Sequence, residues 1–207
     1  PYVDLMTLNG SKLYGPKGVG ILYKKSTIPL EPLFHGGGQE YGMRSGTENV
    51  PGIIGFAKAL AIAEKKRISE SKRLTILRDY FIKKVLEIPG SRLNGHPTQR
   101  LPNNINISFK DIEAETLLQH LNAAGIYASS GSACTAHQIE VSHVIKALRI
   151  PEEYARGTIR LTLGRETQRH DLGKVVKVMK VIVDSLRKVV GAERVPPHLS
   201  HIKLLRF

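Results

Sequence analysis

Cysteine is almost absent from this 207-residue chain, which carries only Cys134. An internal disulfide is therefore excluded, and a thiolate metal site could draw only one sulfur from the chain. A lone thiol without a disulfide framework fits a reducing compartment, so a cytoplasmic protein is expected. Tryptophan is missing, and only seven tyrosines and five phenylalanines are present, with no base-stacking motif among them. Long apolar runs are missing too. The best candidate, Val175 to Val189, is broken by Lys177, Lys180, Asp184, Arg187 and Lys188. A bilayer-spanning helix needs roughly 20 mostly apolar residues, so no membrane segment is expected. The chain opens on Pro1 with no visible signal peptide, and is expected to begin inside a longer gene product or to have been processed.

What is abundant is positive charge. Lysine and arginine outnumber aspartate and glutamate 31 to 18, a net charge of +13. The basic residues are spread over Lys24-Lys25, Lys65-Lys66-Arg67, Lys72-Arg73, Lys83-Lys84 and the face of the last helix. Such scatter fits a solvated basic surface better than a nucleic-acid footprint, and nucleic acid is not expected as a direct partner. A hydrophobic content of 41% is enough for a real core.

Tyr2 to Leu8 reads as a short buried strand ending in the turn signal Asn9-Gly10-Ser11, and Val19 to Tyr23 as a second strand. Residues 35 to 49 form a long glycine-rich loop of a length that is uncommon without a function. Two apolar stripes at helical spacing follow, one through Ile53, Phe56, Ala57, Leu60 and Ala61, the other through Leu74, Leu77, Phe81, Val85 and Leu86. Short strands are expected at Arg92 to Asn94, Ile105 to Phe109 and Ile126 to Ala128. A helix is expected from near Glu113 to Gly125, a short one over Val144 to Leu148, and a long amphipathic one over Asp171 to Val190. Thr158 to Leu163 alternates as a strand does. The alternation of helix and strand places the chain in the α/β class.

Several residues could carry chemistry. Cys134 sits in Ala-Ser-Ser-Gly-Ser-Ala-Cys-Thr, the composition of an exposed, bendable loop rather than of a core, so its thiol is free to react with an external group. Lys12 follows a strand, and a lysine partly removed from water there can form a Schiff base with a carbonyl; an ordinary solvated loop lysine is the plainer alternative. Gly36-Gly37-Gly38 and Arg44-Ser45-Gly46-Thr47 suit close approach to an anion, or simply a surface loop. Arg160 alternates with Ile159 and Leu161, so it faces water or offers its fork to a carboxylate; spacing alone favours water. Cys134, His137 and His143 lack a fourth ligand at zinc spacing, so no metal is expected.

In their order along the chain, seven stretches closely resemble the cysteine desulfurases of the NifS/IscS type, within the class V aminotransferase superfamily. They are Val3-Asp-Leu-Met6, Lys12-Leu-Tyr-Gly-Pro-Lys-Gly-Val-Gly20, Gly36-Gly-Gly-Gln-Glu40, Met43-Arg-Ser-Gly-Thr-Glu-Asn-Val50, Ser129-Ser-Gly-Ser-Ala-Cys134, and, closing the series, Ser142-His-Val144 and Ile159-Arg-Leu-Thr-Leu-Gly-Arg165. The resemblance runs over roughly residues 1 to 190 and corresponds to the C-terminal half of the family's chain. It implies a pyridoxal 5'-phosphate (PLP) transferase of fold type I. Residues 1–70 would end the large cofactor domain, 71–190 would form the α+β small domain carrying the cysteine loop, and 191–207 would be a tail.

The resemblance also distributes roles. Lys12 matches the lysine that binds PLP covalently and can carry a proton once freed. Cys134 matches the nucleophile whose thiolate takes sulfur from L-cysteine, leaving L-alanine and a persulfide. Arg160 matches the partner of the substrate carboxylate, which reverses the preference for water. Thr47 matches a residue that reaches the PLP phosphate of a partner subunit, so a homodimer is implied, with an iron–sulfur scaffold or another sulfur acceptor as partner. Where the family commonly has Ser-x-His-Lys, this chain has Asn9-Gly10-Ser11-Lys12, and Asn9 and Ser11 remain able to donate to a phosphate. The rival readings are a truncated interaction module of the same fold that does not hold PLP, and a nucleic-acid binder supported by charge alone.

Overall fold

The computed structural model describes residues 2–130 and 141–193, with side chains of the last helix described to residue 188. Cys134, His137 and residues 194–207 lie outside the described residues. The chain divides into two compact units, Pro1–Ser69 and Glu70–Phe207.

The first unit begins with β1 (Leu5–Asn9), antiparallel to β2 (Gly20–Lys24), in a two-stranded sheet whose register pairs Leu5 with Lys24 and Asn9 with Gly20. The apolar run at the chain start predicts a buried strand. Instead Leu5, Met6, Ile21 and Leu22 are all exposed, because among the described residues β1 pairs only with β2 and nothing covers the apolar side chains of this sheet. The glycine-rich segment is not wholly irregular: a 3₁₀ turn spans Gln39–Gly42, with Glu40 and Tyr41 in the left-handed region.

The two apolar stripes prove to be one helix, α1 (Val50–Val85, 36 residues), which runs through the division between the units. Nothing between the stripes breaks it, since Glu64 to Arg73 is built largely from good helix formers and contains no glycine or proline. Two i,i+3 ion pairs, Glu64–Arg67 and Glu70–Arg73, line the same stretch. Asn49 opens the helix, its Oδ1 accepting from the Gly52 N–H at 3.1 Å.

The second unit has a three-stranded antiparallel sheet in the order β3 (Ser91–Leu93), β4 (Asn104–Phe109), β5 (Thr158–Thr162). β4 alternates without exception. Ile105, Ile107 and Phe109 are fully buried in a core shared with Phe81 and Val85 of α1, while Asn104, Asn106 and Ser108 take the other face. The core is completed by α2 (Ala114–Ala123) and α5 (Arg169–Glu193), through Leu117, Leu121, Met179 and Val183. Gly125, at φ 74°, supplies the left-handed turn that ends α2. Two short helices, α3 (His143–Ala147) and α4 (Glu152–Ala155), precede β5. Sequence patterning does not single out α4, which is a single turn. Ile126 to Ala128, expected as a strand, is not one: only Ser129 forms a bridge, to Arg160.

Candidate functional site

Asn9, Ser11 and Lys12 occupy one tight structure. A 3₁₀ turn over Gly10–Leu13 follows β1 directly, with Asn9 as its N-cap. The Asn9 Oδ1 accepts from the Ser11 backbone N–H at 3.0 Å and from the Ser11 hydroxyl at 2.8 Å. Gly10 is buried, its N–H donating to the Val19 carbonyl at 2.9 Å, and the Gly15 N–H returns to the Gly10 carbonyl at 2.9 Å. Pro16 leans on α1 so closely that a β-carbon at Gly55 would lie 2.7 Å from Pro16 Cγ. The turn is thus held on both sides by backbone, and Lys12 projects from it into solvent. That exposure fits the plainer reading of Lys12 from spacing, a solvated loop lysine, and not one partly removed from water. Lys12 lies in the connection between the two strands of the uncovered hairpin, and its neighbours Ser11 and Tyr14 are exposed as well.

Thr47 belongs to the same unit and is exposed, in the segment before α1. That segment is braced locally. The Ser45 hydroxyl donates to the Phe34 and His35 carbonyls at 3.1 Å each, the Gly46 N–H donates to Gln39 Oε1 at 3.2 Å, and the Arg44 guanidinium stacks over the Phe34 ring at 4.7 Å.

Arg160 lies in the second unit and is half-buried. In β5 it stands opposite Asn106 of β4, in a pair whose backbone groups turn away from each other. Those groups are taken at the other edge by Ser129: the Ser129 N–H donates to the Arg160 carbonyl at 3.0 Å, and the Arg160 N–H to the Ser129 carbonyl at 2.6 Å. The side chains follow, with Arg160 Nη2 donating to Ser129 Oγ at 3.1 Å. On the β4 side, Asn94 Nδ2 donates to Asn106 Oδ1 and to Ser108 Oγ, both at 2.7 Å, and Ser108 meets Thr158 at 2.7 Å. One face of the sheet is therefore a polar file, buried at Ser108 and Thr158 and opening towards Asn106 and Arg160. The individual roles of Asn94, Asn106 and Ser129 escape a reading of spacing alone. Their signal is present only in hindsight, as the polar half of the β4 alternation and as the first serine of the cysteine stretch.

The residues present suit PLP in part of its chemistry. Lys12 offers a primary amine for an aldehyde, and the Asn9 amide N–H groups, left over once Oδ1 is engaged by Ser11, can donate to a phosphate oxygen. Among the described residues, no cluster of three or more histidine, cysteine, aspartate or glutamate side chains could hold a metal. No helix of the described residues is long and apolar enough to cross a membrane.

Among the solved structures to which the chain is similar are NifS-like proteins, PLP-dependent proteins of fold type I. A solved NifS-like protein superposes with a TM-score of 0.80 at 34% identity, covering 89% of this chain and 47% of that one. The chain belongs to the class V aminotransferase family, whose model matches residues 2–175. That family is PLP-dependent. Cysteine desulfurase IscS of Methanosarcina thermophila is 48% identical over 187 residues, covering 90% of this chain and 46% of the relative. Cysteine desulfurase IscS 1 of Archaeoglobus fulgidus is 46% identical over 186 residues, covering 90% of this chain and 49% of its own length. The chain thus spans about half the length of the curated relatives it matches.

Proposed function

We propose that this chain provides the C-terminal portion of a PLP-dependent cysteine desulfurase, with residues 1–70 ending the cofactor domain and 71–190 forming the small domain. The observation that carries this reading is the turn Asn9–Lys12, which projects a primary amine beside phosphate donors in a chain 48% identical to a curated cysteine desulfurase. Lys12 and the Asn9 amide would hold the cofactor, with Ser11, whose N–H and hydroxyl both go to Asn9 Oδ1, orienting that amide and Thr47 reaching the phosphate of a second subunit in a homodimer. Bound PLP supplies an electron sink that allows a proton to leave the α-carbon of an amino acid.

The remaining work belongs to the chain. Arg160 pairs with the α-carboxylate of L-cysteine. Lys12, its amine released, takes up and returns protons. The Cys134 thiolate attacks the substrate sulfur and forms an S–S bond. The Cβ–Sγ bond breaks, its electron pair and a proton go to Cβ, and L-alanine leaves while the sulfur stays on Cys134 as a persulfide. An iron–sulfur scaffold or another acceptor of the cytoplasm, such as the machinery that thiolates RNA, would then collect it.

Incubation of the 207-residue chain with PLP, followed by borohydride reduction and peptide mass spectrometry, tests the reading. PLP fixed on the peptide containing Lys12, and absent from Lys12→Ala, is expected. No fixation, or fixation spread over other lysines and undiminished in Lys12→Ala, points to an interaction module that does not hold the cofactor.

A further inference from the structure

We propose that Ser129 aims the Arg160 guanidinium and adds a second donor, its own hydroxyl, to the seat of the substrate α-carboxylate. The inference rests on the reading of Arg160 given above and extends it to a residue to which that reading gives no role. A guanidinium on a long, flexible stem binds a carboxylate well only when its fork is held in one orientation. At Arg160 the backbone is fixed on both sides, by register with Asn106 and by the paired bonds to Ser129. The stem is fixed at its tip, through Nη2 to Ser129 Oγ at 3.1 Å.

Ser129 is suited to this in two ways. Its hydroxyl has two lone pairs and one hydrogen. Accepting from Arg160 uses a lone pair and leaves the hydrogen for an anion beside the guanidinium. Because the same residue exchanges both backbone bonds with Arg160, hydroxyl and guanidinium belong to one rigid bridge. The arrangement selects for a free carboxylate over the same thiol and amine without one.

Arginine side-chain NMR of the 207-residue chain provides the test, with the Arg160 guanidinium signal identified by its loss in Arg160→Lys. Titration of the wild type with L-cysteine under reducing conditions is expected to move that signal, and titration with cysteamine, which lacks the carboxylate, to leave it in place. Ser129→Ala should raise the half-saturating L-cysteine concentration about ten-fold or more, as befits one charge-assisted hydrogen bond. Ser129→Thr and Ser129→Val are nearly equal in shape, so threonine should titrate as the wild type does and valine as alanine does. A wild-type response to L-cysteine that is equal in the alanine and valine variants overturns the proposal and leaves the Arg160 reading standing. A wild-type Arg160 signal indifferent to L-cysteine overturns both.

Discussion

A β-carbon at Gly10 would stand 2.8 Å from the Pro16 carbonyl oxygen and 3.0 Å from Val19 Cγ1. The first of these neighbours is backbone and the second belongs to a half-buried side chain, so neither gives way cheaply. Gly10→Ala should therefore cost about 1–3 kcal/mol by overpacking and displace the turn that carries Lys12. Denaturant titration read alongside PLP fixation at Lys12 checks it: both should fall, and unchanged fixation would show that the turn does not set the lysine. At this scale the site was only partly legible. Asn9-Gly10-Ser11 is legible as a turn because a turn signal next to an apolar run is a local pattern, whereas the roles given to Asn9, Ser11 and Lys12 come from the family resemblance. Ser129 and Asn106 are not legible in this way, because their meaning depends on strand register, which pairs β5 with β4 on one side and with Ser129 on the other across long stretches of sequence. Arg160 illustrates the limit. Alternation predicts which face of the strand it takes but not that the face is polar and half-buried.

Helix α1 shows how arginines of similar spacing differ in worth. Arg67 pairs with Glu64 in full exposure, whereas Arg73 pairs with Glu70 and also donates to the Gly164, Arg165 and Thr167 carbonyls that follow β5. Removing Arg73 leaves those carbonyls without their guanidinium donors, and Arg73→Ala should lower the stability of the second unit by roughly 1–3 kcal/mol. Arg67→Ala should leave the unfolding midpoint where it was, since exposed pairs are heavily screened. Equal losses in the two variants would contradict this contrast.

The Glu64–Arg67 pair has its own pH signature. The hydrogen bond and charge of Arg67 hold the Glu64 carboxyl below its ordinary value of 4.5. Whatever support the pair gives the helix is therefore present above pH 4.5 and lost as pH falls through the lowered folded-state value. The continuity of α1 was not visible from its two apolar stripes, because hydrophobic period marks where a helix is covered and not where it stops. The burial expected of β1 failed for a related reason: an apolar run shows a tendency to be covered but not what covers it.

Across the whole molecule the positive charge proves to be partly structural. Read as a solvated surface, it includes arginines that bind backbone carbonyls, among them Arg73, Arg78 on Arg100 and Leu101, and Arg187 on Pro89, Gly90 and Lys110. A guanidinium can satisfy several loop carbonyls at once, so such residues serve the fold and carry no information about nucleic acid. Family and fold class were legible in the sequence because long motifs stand in a fixed order. The hairpin of the first unit shows its apolar side chains, and the chain spans about half of its curated relatives.

Cys134 is the centre of the proposed reaction. The most direct measurement is the intact mass of the 207-residue chain after incubation with PLP and L-cysteine, with alanine quantified in the same sample. One added sulfur atom on Cys134, matched by alanine and lost in both Cys134→Ala and Lys12→Ala, is the predicted result. Alanine formation that continues undiminished in Cys134→Ala, or an added sulfur that does not depend on Lys12, would contradict it.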